Sequence, residues 1–314
     1  MFRYMSSALC CYALLICHGL SSSVSSTHEK DVIPKTSDNT HATPEVVEFI
    51  YSYYNAKSSH NITAYLKYFH PTNASYTDVT LGSAFPNRTA IEAGFTPIFA
   101  AMEPGSLAYP LQIVGDMRSV LVHSVDTPGL FGPEIRLLTI FDFLDGKLTR
   151  VLDVWDGRRN VLVQNRGRDV YYNNLGLDLV HNPADPRIAE IVNKLSTNLA
   201  SGNVGAVESL FSSDAILQDF TLRTRIEGSL AIGRYLGRSV SNLPYGVNSK
   251  LRHVGGFSAG GGYEWKSNTA KGVYGVSVIE LDRENKVTRY TTSWDGSRVN
   301  DGQIRALTDA ALEN

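Results

Sequence analysis

Apolar residues recur with the spacing of an amphipathic helix in two segments of the chain, 44–56 and 186–200. A proline opens each segment, and Asp185 stands before the second proline, which is typical of a capped helix start. In both halves we predict a second short helix after this one, and then a third around Ile91 or Ile232. Each half therefore begins with three helices.

Alternating apolar and polar residues predict strands in the rest of each half. The segments 136–143 and 148–155 alternate and are separated by an Asp-Gly pair, the pattern of a β-hairpin. The segments 273–281 and 287–294 repeat this arrangement, with a turn near Asn285. Each half therefore ends in antiparallel strands.

The two halves are copies of one another. An aspartate follows the second predicted helix in each half, at Asp78 and Asp219. Each half then closes with Lys-x-Thr-Arg-x-x-x-x-Trp-Asp-Gly, over 147–157 and 286–296. Shared order and spacing over so long a stretch indicate a duplication. The predicted fold class is α+β, with two cone-shaped domains that each pack three helices on a curved antiparallel sheet.

The composition of the first residues predicts an exported chain. Arg3 is followed by an apolar run over 8–17 and small residues over 19–26, as in a signal peptide, and the run is too short to span a membrane. The predicted organisation is a signal peptide at 1–26, a disordered lead-in at 27–43, a first domain at 44–158, a linker at 159–185 and a second domain at 186–314.

Cysteine and charge narrow the possible chemistry. All three cysteines lie within the predicted signal peptide, so the mature chain would hold no thiol nucleophile, thiolate metal site or disulfide. The net charge is −2 and no basic stripe is present, so nucleic acid is not an expected partner. No segment after the predicted signal peptide is apolar for long enough to span a membrane, so a membrane is not an expected partner either. Export makes three sequons chemically meaningful, and we expect N-glycosylation at Asn61, Asn73 and Asn87.

The order of elements, with an aspartate after the second helix and Trp-Asp at the last strand, resembles the NTF2-like superfamily. The SnoaL-like polyketide cyclases and the ketosteroid isomerases belong to it. The resemblance implies two NTF2-like (SnoaL-like) cone domains, with Asp78 and Asp219 where the isomerases keep their general base. It also places Tyr53 near their first-helix tyrosine. The oxyanion-hole aspartate of the isomerases falls near Thr139 and Ser277, so that donor is missing from both copies.

The tandem, exported and sequon-bearing build is also similar to the secreted fungal hetero-Diels–Alderases of tropolonic sesquiterpenoid biosynthesis. This resemblance implies a reaction between a quinone methide and an unsaturated terpene.

Strand periodicity and the alignment of the two copies define a candidate site. Alternate residues of a strand share a face, so Asp153 lies beside Trp155, and the alignment sets His123 opposite Tyr263. The candidate catalytic residues are Tyr53, Asp78, His123 and Asp153. The candidate substrate-binding residues are Trp155, Asp219, Tyr263, Tyr290 and Trp294.

Simpler structural roles stay open for the same residues. The aspartates could end strands as turn or cap residues, His123 could be an ordinary strand residue, and the tryptophans could be core aromatics. The glycine pairs and triplets over 255–262 sit within a strand pattern and would relieve crowding where the sheet bends.

No motif for a metal, a nucleotide or a nucleophile elbow is present, so we expect a cofactor-independent reaction without a metal site. An aromatic pocket with a few acids could orient an apolar substrate for cyclisation or cycloaddition of a polyketide or terpenoid. A carrier of hydrophobic small molecules and a SnoaL-like hydrolase or dehydratase are the alternatives. The expected partners are a hydrophobic small molecule and a second copy of the chain in a homodimer.

Overall fold

The computed structural model describes residues 32–164, 174–268 and 272–312. The predicted signal peptide and the middle of the predicted linker lie outside these ranges.

The first half follows the predicted order of helices and strands. Its elements are α1 (Pro44–Ser58), α2 (Ile62–Leu66), β1 (Ser75–Asp78), β2 (Ser83–Phe85), α3 (Arg88–Ala101), β3 (Ala108–Gly115), β4 (Ser119–Asp126), β5 (Ile135–Leu144) and β6 (Lys147–Trp155). The strands form one sheet in the order β2-β1-β6-β5-β4-β3. A 3₁₀ turn (Gly157–Arg159), the short α4 (Val161–Gln164) and a second 3₁₀ turn (Leu177–Leu179) follow.

The second half repeats this architecture. Its elements are α5 (Pro186–Ser201), α6 (Val204–Glu208), β7 (Phe211–Asp219), β8 (Thr224–Glu227), α7 (Ser229–Ser239), β9 (Lys250–Phe257), β10 (Gly260–Lys266), β11 (Tyr274–Leu281), β12 (Val287–Trp294), a 3₁₀ turn (Gly296–Arg298) and α8 (Asp301–Asp309). The sheet order, β8-β7-β12-β11-β10-β9, is that of the first sheet. The α+β fold with two cone domains is therefore confirmed.

The sheets differ from the prediction in one respect, because they are not wholly antiparallel. β1 pairs in parallel with β6, and β7 pairs in parallel with β12. Parallel pairing requires a long connection, which α3 and four strands (β2, β3, β4 and β5) supply in the first domain.

Local sequence explains several of the element ends. The side chains of Asn61 and Asn87 accept hydrogen bonds from the backbone of Ala64 and Ala90 and so cap α2 and α3. In the hairpin between β5 and β6, Asp145 and Gly146 both have positive φ, of 51° and 70°. This left-handed pair is the tight turn that an Asp-Gly sequence favours.

The two sheets pack against each other through their outer faces. Apolar side chains of both domains form one cluster there: Val114, Leu121, Leu138, Ile140, Leu152 and Val154 from the first and Val276 and Val278 from the second. A Cβ at Gly262 would lie 2.6 Å from Leu121 Cδ2, and one at Gly260 would lie 2.7 Å from Val114 Cγ1. These glycines therefore admit the neighbouring sheet, whereas we expected them only to ease a bend.

Residues 32–43 are ordered, which corrects the prediction of a disordered lead-in for this part of the chain. The backbone N–H of Asp38 donates to Leu111 and its carbonyl accepts from Ile113, so the segment pairs with the edge strand β3. Ile33 is buried in the first core. An open strand edge and an apolar anchor outweigh the polar composition on which the prediction rested.

Candidate active site in the first cone

A row of side chains crosses the first sheet and points into the cone. Asp78 on β1 is the register partner of Asp153 on β6, and Asp153 is in turn the partner of Thr139 on β5. Thr139 pairs with Val122 on β4, which belongs to the inner core. Alternation along each strand therefore brings two carboxyls and a hydroxyl together on the concave face.

Asp153 is held by two hydroxyl groups. Thr139 Oγ1 donates to Asp153 Oδ1 over 2.5 Å, and the Tyr76 hydroxyl donates to Oδ2. Burial raises the pKa of Asp153, while the charge of Lys57 and these two hydrogen bonds act in the opposite direction. Because both oxygens are engaged, the orientation of this carboxyl is fixed.

Asp78 lies next to Asp153 and borders the cavity of the cone. Its Oδ2 accepts a hydrogen bond of 3.0 Å from the indole Nε1 of Trp155, and its Oδ1 accepts one of 2.8 Å from the backbone N–H of Leu81. Burial raises the pKa of Asp78 to about 7, and the nearby charge of Asp153 adds to the increase. This carboxyl can therefore gain or lose a proton near neutral pH.

A buried ion pair adds a third carboxylate to the cavity wall. Lys57 Nζ donates to both oxygens of Asp126 at 2.9 and 3.0 Å, and both residues are almost fully buried. The ammonium also lies 5.4 Å from the ring centre of Phe131. Asp126 therefore lines the cavity as a carboxylate that is already paired with a buried cation.

The free volume in the first cone is about 70 Å³. Apart from the three aspartates and Ser83, its lining is apolar or aromatic: Tyr76, Leu81, Phe85, Phe95, Ile98, Phe131, Ile135, Leu137, Trp155 and Leu162. An apolar lining with a few polar groups converging on it is the composition of a small-molecule site, although the volume is smaller than that of a typical ligand pocket.

The second cone has the same scaffold but a packed interior. Asp219 accepts a hydrogen bond of 3.1 Å from Trp294 Nε1 and one of 2.9 Å from the backbone of Leu222, which repeats the geometry of Asp78. Thr292 stands where the first cone has Asp153. Burial raises the pKa of Asp219 to about 6, but no second acid lies in this row.

No open space remains beside Tyr290, where the described side chains leave a free volume of about 0 Å³. The Tyr290 hydroxyl instead lies 2.8 Å from Ser277 Oγ and 3.2 Å from the Tyr263 hydroxyl. The candidate residues of the second cone therefore form a closed hydrogen-bonded core.

Only two of the four candidate catalytic residues line the cavity of the first cone. Asp78 and Asp153 line the cavity, as does Trp155. Tyr53 lies in the inner core behind the cavity wall, and its hydroxyl is 2.7 Å from that of Tyr65.

The placement of His123 in the same cavity is wrong. His123 pairs with Leu138, whose side chain faces the other sheet, and its ring lies 4.3 Å from that of Phe220 in the second domain. The row that contains Tyr263 in the second cone contains Val122 in the first, so the predicted alignment slipped by one residue. A slip of one residue moves a side chain to the opposite face of a strand.

Three important residues of the site were not among the candidates. Tyr76 shares a face with Asp78 two positions later, so strand periodicity could have identified it. Lys57 and Asp126 are 69 residues apart, and nothing in the sequence pairs them.

The described ranges contain neither a metal-binding cluster nor a membrane-spanning helix. There, no three His, Cys, Asp or Glu side chains are grouped so that they could hold a metal ion. None of the helices in these ranges has the length and apolar composition needed to cross a bilayer.

No protein-family model and no curated protein matches the chain. Among solved structures, a steroid delta-isomerase from Pseudomonas aeruginosa is 11% identical over 41% of this chain and 91% of its own, with a TM-score of 0.33. A putative polyketide cyclase from Sinorhizobium meliloti is 24% identical over 34% of this chain and 93% of its own, with a TM-score of 0.30.

An NTF-2 like protein of unknown function from Burkholderia xenovorans is 20% identical over 35% of this chain and 83% of its own, with a TM-score of 0.30. Each of these matches is thus confined to less than half of the chain. At such identities and scores they say nothing about activity, and the fold rests on the strand order described above.

Proposed function

We propose that the chain is a secreted enzyme that uses the first cone for acid–base catalysis on an apolar small molecule, in a cyclisation, cycloaddition or isomerisation. The observation that carries this proposal is the pair of opposed carboxyls, Asp78 and Asp153, at the wall of an apolar cavity. The pKa of Asp78, about 7, suits a group that must donate a proton near neutral pH.

The two carboxyls have different roles in this proposal. Asp78, in its protonated form, donates a proton to an oxygen of the substrate, either a carbonyl or a hydroxyl that leaves as water. Asp153 remains bound to Tyr76 and Thr139, and its charge keeps a proton on Asp78. General acid–base help of this kind contributes about 10²- to 10⁴-fold to a rate.

The lining of the cavity supports an apolar substrate. Rings such as Phe85 and Phe95 border it, and loss of water from such a site strengthens every electrostatic interaction within it. The free volume of about 70 Å³ is well below the roughly 300 Å³ of a typical ligand pocket. Binding therefore requires the partly exposed lining side chains, such as Phe85 and Leu162, to move outward.

The finer proposal is a hetero-Diels–Alder reaction between a quinone methide and an unsaturated terpene. Loss of water from a 2-hydroxybenzyl alcohol gives an o-quinone methide. In this step Asp78 donates a proton to the departing benzylic hydroxyl, and the proton released by the phenol returns to Asp78 or passes to solvent. Orientation of the two partners in one apolar cavity can supply a further ~7–11 kcal/mol.

The test is an assay of the purified mature protein with a quinone-methide precursor and an unsaturated terpene. We expect cycloadduct to form faster than without protein, with one stereoisomer dominant, and Asp78→Asn to lose the acceleration. Product at the uncatalysed rate with several such pairs, together with tight binding of the terpene, would instead identify a carrier.

A further inference from the structure

A second, larger cleft lies between the two domains, outside the first cone. It has a volume of about 620 Å³, within the range of small-molecule sites. Residues of β5 and β6 form one side of it and residues of β7, β8 and β12 the other. Its chemistry differs from that of the cone, because polar side chains dominate its walls.

Arginines give the cleft an excess of positive charge. Arg136, Arg159, Arg223 and Arg225 all line it. Arg136 is paired with Glu134 at 3.0 Å and Arg225 with Glu227 at 2.7 Å. Two further acids line the cleft: Asp156 is paired with Arg158 at 2.8 Å, and Asp219 accepts hydrogen bonds from Trp294 Nε1 and the backbone of Leu222.

Two of the four arginines are available to a ligand. Within residues 32–164, 174–268 and 272–312, neither Arg159 nor Arg223 has an acidic partner, and both are exposed. Arg223 also has a φ of 58°, in the left-handed region that a branched or long side chain seldom adopts. Such local strain is found preferentially at functional sites.

The floor of the cleft holds buried hydroxyls that have no protein partner. Ser293 is fully buried, and neither its Oγ nor the Oγ1 of Thr224 makes a hydrogen bond to any described residue. Both residues line the cleft. A buried hydroxyl without a partner is unfavourable, so a ligand acceptor that binds here would satisfy it.

An aromatic surface completes the site. Phe220 lines the cleft, and its ring lies 4.3 Å from that of His123 at an interplanar angle of 38°. Burial and the charges of Arg136 and Arg289 lower the pKa of His123 to about 3, so this histidine is neutral and adds no charge. A flat apolar body can therefore rest on Phe220 while its charged group meets the arginines.

We propose that this cleft binds a small organic anion, through a carboxylate or phosphate held by Arg159, Arg223 and the hydroxyl of Ser293. The planar guanidinium matches either oxyanion, so the shared chemistry is the oxyanion itself. The site is separate from the cone and does not depend on the function proposed above.

Titration calorimetry on the full mature protein at low salt tests the proposal, with three probes: 2-naphthoate, inorganic pyrophosphate and the neutral 2-naphthylmethanol. We expect at least one anion to bind, about 10-fold or more tightly than the neutral compound, and to weaken as salt is added. Binding of naphthoate alone would identify a carboxylate on an aromatic body, and binding of pyrophosphate alone a phosphate.

The double variant Arg159→Gln/Arg223→Asn should weaken anion binding about 10-fold or more. Asparagine tolerates the left-handed backbone, so the fold should be preserved. Arg283→Gln removes an exposed charge outside the cleft and should leave binding unchanged. If the double variant does not fold, Ser293→Ala is tested instead. This change removes no protein hydrogen bond, so the protein should fold and bind the anion more weakly.

Equal binding by the wild type and a folded variant would overturn the proposal. So would a neutral compound that binds as tightly as the anions, or no binding of either anion.

Discussion

Asp78 and Asp153 occupy directly opposed positions on the parallel strands β1 and β6, and both carboxyls are buried in the interior of the first cone. Two buried acids in such a position cannot both ionise freely, and the pKa of Asp78 rises to about 7 by burial and by the charge of Asp153. The second domain keeps the scaffold and lacks the second acid, since Thr292 is in its place.

The first prediction concerns the acid itself. Asp78→Asn should slow the reaction by about 10²-fold or more, because the amide is too weak an acid to transfer a proton to the substrate. Asp219→Asn changes the matching residue of the packed second cone and should alter the rate far less. The rates of the two variants, measured on the same substrate, give the comparison, and equal losses would point to a shared structural effect.

The second prediction concerns the pH dependence of the rate. If protonated Asp78 is the active form, the rate constant should be high below pH 7 and fall as the pH rises through about 7. Asp153→Asn removes a neighbouring negative charge, so the pKa of Asp78 should fall and the midpoint should move to lower pH. A midpoint that stays in place in Asp153→Asn would contradict the coupling of the two acids.

The third prediction links the second cone to stability. The pKa of Asp219 is raised to about 6, above its ordinary value of 3.8, so the folded state holds its proton where the unfolded state has lost it. The contribution of Asp219 to the free energy of unfolding should therefore decrease as the pH rises from about 4 to 6, and level off above that range. Asp219→Asn should show a shallower decrease in urea unfolding over this range, and an unchanged slope would rule out this assignment.

The fourth prediction concerns a buried charge network between the domains. Arg150 is fully buried and contacts Asp142 at 3.0 Å and Glu264 at 2.6 Å. Arg150→Met leaves both acids without this partner and should destabilise the protein by about 3–5 kcal/mol. The triple variant Arg150→Met/Asp142→Asn/Glu264→Gln should recover much of the loss. Urea unfolding measures both variants, and equal free energies of unfolding for the single and the triple variant would show that the network contributes little to stability.

His253 belongs to the same network and gives it a pH dependence. It lies 2.9 Å from Asp142. Burial lowers the pKa of His253, but the carboxylate of Asp142 outweighs burial and the pKa is raised overall. The contribution of this pair is complete below about pH 6.5 and is lost as the pH rises through the raised pKa. This gives a second test of the fourth prediction: in urea unfolding, His253→Gln should destabilise the protein more at pH 6 than at pH 9, and an equal effect at both pH values would contradict it.

The fifth prediction concerns export and glycosylation. Expressed with its leader in a eukaryotic host, the chain should enter the medium without residues 1–26 and carry glycans at Asn61, Asn73 and Asn87. Asn61 and Asn87 are exposed, and their side-chain oxygens cap helices. Thr63→Ala and Thr89→Ala remove the sequons and leave those caps intact, so each should reduce the intact mass by one glycan without loss of stability. A mass that glycosidase does not change would contradict the prediction.

The sequence by itself determined the duplication, the order of the helices and strands and the turn at Asp145-Gly146. These features follow from local spacing and turn chemistry, which neighbouring residues supply. Strand alternation likewise placed Asp153 beside Trp155, and the repeat matched Asp78 to Asp219. Neither prediction depends on the lengths of the loops between the strands.

Only the tertiary structure decided the rest of the site. The loop between β4 and β5 differs in length from that between β10 and β11, so spacing could not fix the register, and His123 lies on the face opposite to the one predicted. The pairing of Lys57 with Asp126 depends on how α1 packs on the sheet. The first cone contains a cavity and the second does not. This difference depends on the combined volumes of side chains from elements that are distant in sequence, which no local sequence pattern predicts.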